Sequence, residues 1–293
     1  MGKLLEELHV KFSVLKELTK RKMFVPLEHY YSPIPAMSDI ENHDFDFLPS
    51  SLPGVDLNDE EQLRLLDRFD SFYAELPFRS DKTEGLRYYF ENSAYSYSDA
   101  IFYYCMLRYL KPRKLIEVGS GFSSCVALDT NEMFLNKQTA FTFIEPYPAL
   151  FQSLLSGTRR QNIRLLESKL QNIPIDLFKE LQNGDILFID STHVSKFGSD
   201  VNFVIHQILP ALAEGVHIHF HDIFYPFEYP RGWLLEGRAW NEAYALRAFL
   251  EYNSKFKIVL FNTYLEKYYE EELRKRFPLI YKNTGGSLWL KKI

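Results

Sequence analysis

Residues 115–124, Leu115-Ile116-Glu117-Val118-Gly119-Ser120-Gly121-Phe122-Ser123-Ser124, join an apolar run to a helix-length segment through a Gly-x-Gly turn. Glycine lets the backbone approach a ligand closely, and the N–H groups that open a helix are free to bind one. Glu117 places an acid two positions before the first glycine, where dinucleotide sites usually carry an apolar residue. Such an acid can hold a cationic group. The third glycine of the dinucleotide fingerprint is missing, because Ser124 stands there. Glu145 lies 26 positions after Gly119, near the ~20-residue spacing of an acid that binds a ribose hydroxyl. Pro146 biases Glu145 towards extended backbone, as at a strand end. The residues expected to contact a ligand here are Glu117, Gly119, Ser120, Gly121, Ser123, Glu145 and Pro146.

A second set of residues could move a proton. Asp190 ends an apolar run, and His193 follows three residues later. A neutral imidazole near its ordinary pKa suits removal of a proton from an attacking hydroxyl. Downstream, Val216-His217-Ile218-His219-Phe220-His221-Asp222 puts three histidines on one face of a strand. Alternate positions climb by about 6.6 Å, so the three cannot converge on one small ion. His217 and His219 read as core histidines with hydrogen-bonded partners, whereas His221 and Asp222 stand at the strand's exit.

The elements that must carry these residues are legible from about residue 88 onward. Short apolar runs at 114–118, 141–145, 163–166, 185–190 and 216–220 alternate with helix-length segments at 123–134, 148–156, 173–182 and 199–212. That alternation predicts a doubly wound α/β domain, a parallel sheet covered on both faces. A helix at 241–252 and two final apolar runs, 257–261 and 287–290, close the sheet, the last preceded by the turn Gly285-Gly286. Carboxyl ends of parallel strands are where such sheets bind ligands. The loop 223–237, with Phe224, Tyr225, Phe227, Tyr229 and Trp233, reads as a lid, as a sugar-stacking surface or as packing against the N-terminal arm. Residues 1–87 read as an N-terminal helical and extended cap or oligomerisation arm, and 88–293 as the ligand-binding domain. Within the arm, 1–22 has an amphipathic helical pattern, and Asn58 with Glu61 forms a capping-box pattern.

Residues 88–293 resemble the class I S-adenosylmethionine-dependent methyltransferases, and within them the macrocin-type sugar O-methyltransferases. The likeness is carried by Ile116-Glu117-Val118-Gly119-Ser120-Gly121, Ile144-Glu145-Pro146, Phe188-Ile189-Asp190-Ser191-Thr192-His193 and Phe220-His221-Asp222. The resemblance implies a mostly parallel seven-stranded sheet and S-adenosylmethionine as cofactor. Asp190 joins its binding residues, and Ser168 and Leu170 stand where the family contacts adenine. It also implies O-methylation of a small-molecule or saccharide acceptor, with His193 as general base beside Asp190. A divalent cation, Mg²⁺ or another, would sit on Asp190, His221 and Asp222. His221 departs from the family pattern, since imidazole is a poorer Mg²⁺ ligand than a carboxylate. An NAD-dependent oxidoreductase and a non-catalytic S-adenosylmethionine-binding scaffold are the alternative readings.

Composition narrows the class. A hydrophobic content of 46% and a net charge of -5 are those of an ordinary globular chain, with no electrostatic reason to bind nucleic acid. No apolar stretch is long enough to span a membrane, and no cleavable leader is visible, so a cytoplasmic location is expected. Cys105 and Cys125 lie in apolar helical surroundings and read as buried thiols rather than a disulfide. Association into a homo-oligomer is expected to use the N-terminal region.

Overall fold

The computed structural model describes residues 29–155 and 162–293. The amphipathic segment expected at 1–22 lies outside the described residues. Seven strands form one sheet: β1 (Lys114–Val118), β2 (Ala140–Ile144), β3 (Ile163–Leu166), β4 (Ile186–Ile189), β5 (His217–His221), β6 (Phe256–Phe261) and β7 (Ser287–Lys292). Their order is β3-β2-β1-β4-β5-β7-β6, with the first five parallel and β7 antiparallel to both neighbours. The doubly wound, mostly parallel seven-stranded sheet expected from the sequence is the fold.

The centre of the sheet is buried on both faces, which is why β4 is an unbroken apolar run with every residue buried. The helix Tyr97–Leu110 is buried from Tyr97 through Leu107, and it packs against the helix Phe122–Phe134. A helix apolar on nearly every side belongs in a core. Beyond the strands, Gly119 N–H donates to the Ile144 carbonyl at 3.0 Å and Asp190 N–H to the Val118 carbonyl at 2.9 Å. These bonds extend the parallel ladder by one residue. With Ile189 level with Phe220, the exits of β1, β2, β4 and β5 are brought to one edge.

The chain divides into two compact units. Among the described residues, one comprises 29–46 and 230–239, and the other 47–229 and 240–293. In the smaller, the short helices Met37–Asn42 and Arg231–Leu235 pack on each other. The larger contains the sheet and also residues 47–87, so the boundary read at 87 lies inside it. Its helix Asp59–Ala74 buries Leu65, Leu66 and Phe69. Asn58 is the N-cap residue of that helix, its carbonyl accepting from the N–H groups of Glu61 and Gln62, but it is left-handed, at φ 57°, and its side-chain amide donates to Glu61 and to the Ile258 carbonyl of β6 instead of accepting from the helix. Residues 223–229 are core rather than an open lid. Ile223, Tyr225, Phe227 and Tyr229 are buried, and Tyr225 donates its hydroxyl to the Pro49 carbonyl. Cys105 and Cys125 are free and buried, and among the described residues no helix is long and apolar enough to cross a membrane.

Candidate active site

The β1 exit builds the first half of the site. Gly119 adopts φ +80°, and a Cβ there would meet the Asp190 carbonyl oxygen at 2.0 Å. The protein itself therefore demands this glycine, where β1 passes β4. Gly121 is different: its backbone is extended, and a Cβ would meet only Leu150 at 3.8 Å, leaving open space beside the turn. Glu117 is fully buried, and its Oε1 accepts from Ser123 Oγ at 2.6 Å and Ser124 Oγ at 2.9 Å. Its Oε2 has no hydrogen-bond partner, and the buried hydroxyls of Ser120 and Ser191 have none either. Burial pushes the Glu117 pKa up to about 8, against the two serine bonds, with Asp190 and Glu145 adding to the rise. Ser123, expected to face a ligand, instead holds Glu117.

At the β2 exit, Glu145 accepts from Ser120 N–H at 3.2 Å and from Tyr147 N–H at 2.8 Å, so its carboxylate is tied to the β1 turn. Pro146 is exposed beside it. After β3, Ser168 turns its hydroxyl to the Lys169 carbonyl at 3.3 Å and Leu170 is buried. An unpartnered carboxylate oxygen, unpaired hydroxyls and an open glycine turn fit a ligand with a cationic end and sugar hydroxyls.

The second half is a cluster of charges at the β4 and β5 exits. His193, buried and left-handed at φ 57°, directs Nδ1 to Glu242 Oε2 at 2.8 Å. Its Nε2 lies 3.4 Å from Asp190 Oδ1 and 3.6 Å from Asp222 Oδ2. The loop is pinned to the start of the helix Glu242–Leu250, because the N–H groups of Asn241 and Glu242 both donate to the His193 carbonyl. Trp240 lies under the His193 ring, centroids 4.4 Å apart, a placement that favours a cationic imidazole. Asp222 is also left-handed, at φ 59°. Both residue types tolerate this conformation, and they stand at two neighbouring strand exits.

His221, buried at the end of β5, faces Asp190 Oδ1 through Nδ1 at 3.4 Å. Its Nε2 faces Asp99 Oδ2 at 3.5 Å and Asp222 Oδ1 at 3.6 Å. Burial works against charge on both histidines, but the carboxylates outweigh it. His193 is pushed up to about 10 by Asp190 and Glu242, and His221 well above the usual imidazole range by Asp222, Asp190 and Asp99. Asp190 stays far below the carboxylate range despite its burial, held there by His221 and His193. The neutral imidazole expected at position 193 is thus the minority form at neutral pH.

The sequence-expected metal set, Asp190, His221 and Asp222, does come together, but not as ligands of one ion. Asp190 and Asp222 reach His221 through opposite ring nitrogens. Among the described residues no group of three or more His, Cys, Asp or Glu side chains is arranged to hold a metal. His219 is a core histidine with Ser287 Oγ 3.0 Å from its Nε2, whereas His217 is buried with its Nδ1 unpartnered. Glu242 and Asp99 were not expected from the sequence. Their only signal was an acid at the start of an otherwise apolar helix, a position the helix dipole alone explains.

A family model described as a methyltransferase domain matches residues 116–223. An uncharacterized protein of Archaeoglobus fulgidus is 30% identical over 173 residues, which cover 56% of this chain and 76% of that protein. Among solved structures, cofactor-bound Rv0187 from MTB is 17% identical with a TM-score of 0.43, covering 83% of this chain and 93% of that one. Another, from Plasmodium falciparum and in complex with S-adenosyl-L-homocysteine, is described as a protein-L-isoaspartate O-methyltransferase. It is 16% identical with a TM-score of 0.30, and the match covers 42% of this chain and only 58% of that one.

Proposed function

The chain carries a methyltransferase domain and belongs to one protein family with its archaeal relative; on that footing we propose that it transfers a methyl group from S-adenosylmethionine to a hydroxyl of a small, saccharide-like acceptor. The observation that carries the reading is the buried Glu117 carboxylate, whose Oε2 lacks a partner beside an open glycine turn. A buried carboxylate with one oxygen left without a donor has room for a cation, and Glu117 holds the ammonium of the cofactor's amino-acid end. Glu145, each oxygen carrying one backbone N–H, has lone pairs left for ribose hydroxyls, with Pro146, Ser168 and Leu170 along the adenine end. Ser120 and Gly121 line the turn. When bound, the cofactor supplies an electrophilic methyl group on a sulfonium sulfur.

Asp190 and Asp222 flank His193 Nε2 and accept hydrogen bonds from acceptor hydroxyls, a pairing that suits polyols and repels anions. His193 Nε2 would take the hydroxyl proton as the oxygen bonds to the methyl carbon, in exchange for the carbon–sulfur bond, whose electron pair would return to sulfur. A base with a raised pKa is scarcer at neutral pH but stronger. Glu242 keeps its ring oriented, as the carboxylate of a catalytic triad does.

Calorimetric titration with S-adenosylmethionine at pH 7, in two buffers of different ionisation enthalpy, tests the reading. Glu117 is protonated below about 8, so binding should release close to one proton. Glu117→Gln should abolish the release and weaken binding by roughly 1.5–3 kcal/mol, the worth of a charge-assisted hydrogen bond. Absence of binding, or tighter binding of NAD, would overturn it.

A further inference from the structure

We propose that Tyr89, which lies outside the matched residues 116–223, completes the cofactor site, its hydroxyl donating to the carboxylate at the cofactor's amino-acid end. The assignment rests on the methyl-transfer reading.

The fold turns Tyr89 towards the glycine turn. Its neighbours Tyr88 and Phe90 are buried and both pack on Phe78, with ring centroids 4.8 and 6.2 Å away. They share one side of the segment, so Tyr89 between them points to the other. There its half-buried ring meets the Phe122 ring edge-on, centroids 5.6 Å apart at 84°. Phe122 opens the helix Phe122–Phe134 and follows Gly121, beside which there is open space. Among the described residues the Tyr89 hydroxyl has no hydrogen-bond partner.

The segment is fixed before any ligand arrives. Tyr88 N–H donates to Asp129 Oδ2 at 2.9 Å, and its hydroxyl donates to the Tyr95 carbonyl at 2.8 Å. Asn92 commits its whole side chain to the same loop. Its Nδ2 donates to the carbonyls of Tyr89 and Tyr95, at 2.7 and 2.8 Å, and its Oδ1 accepts from the N–H groups of Ala94 and Tyr95, at 3.0 and 2.8 Å. A donor presented from a backbone so tied is already ordered, which favours binding.

The chemistry of an amino acid supplies the rest. Its ammonium and carboxylate branch from one carbon, so placing one places the other within a few ångströms. The ammonium lies at Glu117 Oε2, and Glu117 Oε1 is bonded to Ser123 and Ser124 on the first turn of the helix that Phe122 opens. The carboxylate therefore falls at the start of that helix. The helix dipole favours an anion there, and the buried, unpartnered Ser120 hydroxyl is a donor for it. Glu117 and Glu145 are acceptors and cannot serve a carboxylate. Tyr89 adds a second hydroxyl from the segment that packs on Phe122.

The test is calorimetry on the full chain with two probes, S-adenosylhomocysteine and 5′-methylthioadenosine. Both carry the adenosine and a thioether, but only the first carries the amino-acid end. Tyr89→Phe keeps the ring on Phe122 and removes the hydroxyl alone. It should weaken S-adenosylhomocysteine about tenfold or more, as loss of a charge-assisted hydrogen bond does, and leave 5′-methylthioadenosine within about twofold. Tyr89→Leu, a second variant in case the first does not fold, should show the same selective loss. Undiminished affinity for S-adenosylhomocysteine in a folded variant would overturn the assignment, and so would equal weakening of both probes. Failure of the methyl-transfer reading looks different: wild type would then bind neither probe, and the assignment would fall with it.

Discussion

Glu242 biases the protonation of His193 through its bond to Nδ1. Its negative charge stabilises the imidazolium, which with Asp190 lifts the His193 pKa to about 10. The base form is therefore a small fraction at neutral pH, and methyl transfer should rise about tenfold per pH unit before levelling near 10. Glu242→Gln removes one of the charges, so the levelling point should fall to lower pH. His193→Ala should slow transfer by the ~10²–10⁴-fold typical of a positioned base, and flatten the profile. A pH–rate profile of the three proteins checks both, and an unchanged profile in His193→Ala would remove the base assignment. The same shift bears on stability. A histidine whose folded pKa exceeds its unfolded value of about 6.5 contributes fully below that value. The contribution is lost as pH rises through about 10, so alkaline conditions that favour the base also loosen the loop it holds.

At the scale of elements, the two glycines of the β1 turn do separate work, and substitution should split them. Gly119→Ala drives a Cβ into the Asp190 carbonyl in a left-handed backbone, at a cost of roughly 1–3 kcal/mol or more. Gly121→Ala meets only ordinary contact, so its melting temperature should match wild type while S-adenosylmethionine binding weakens. Thermal unfolding and cofactor titration of both variants test this, and normal affinity in Gly121→Ala would move the ligand away from the turn. The turn was legible in the sequence because a strand, two glycines and a helix fall within ten residues, and the strands were legible because both faces of the sheet are buried. Glu242 and Asp99 were not, since their partners lie 49 residues away in sequence at His193 and at the far end of β5 at His221. Nor does a sequence pattern reveal that Asn58 is left-handed, or that its side chain reaches the Ile258 carbonyl 200 residues away. The metal expectation finds no support among the described residues for a similar reason: residue types suggested ligands, but which ring nitrogen faces which carboxylate is a tertiary fact.

At the scale of the molecule, residues 47–87 are a structural part of the sheet's own unit. β6 is an edge strand, and an uncovered edge is a liability for folding and aggregation. Residues 57–62 cover it: Gln62 accepts from Phe261 N–H at 2.7 Å and donates to the Leu57 carbonyl at 2.6 Å, while Asn58 reaches Ile258 and Glu61 pairs with Lys257. Behind them, Arg276 grips Asp70 through two bonds of 2.9 Å. Burial of Leu65, Leu66 and Phe69 contributes roughly 1.5–3 kcal/mol for each side chain. Removal of residues 1–46 should therefore leave a cooperative unfolding transition close to that of the full chain, with cofactor binding retained. Removal of residues 1–87 should expose β6, strip this layer of core and yield an aggregating or unfolded product. Circular dichroism melts and light scattering on the two truncated chains distinguish the outcomes. A stable, monodisperse 88–293 fragment with native affinity for S-adenosylmethionine would show that the helix Asp59–Ala74 is an accessory to the sheet, and that β6 holds its place through β7 alone.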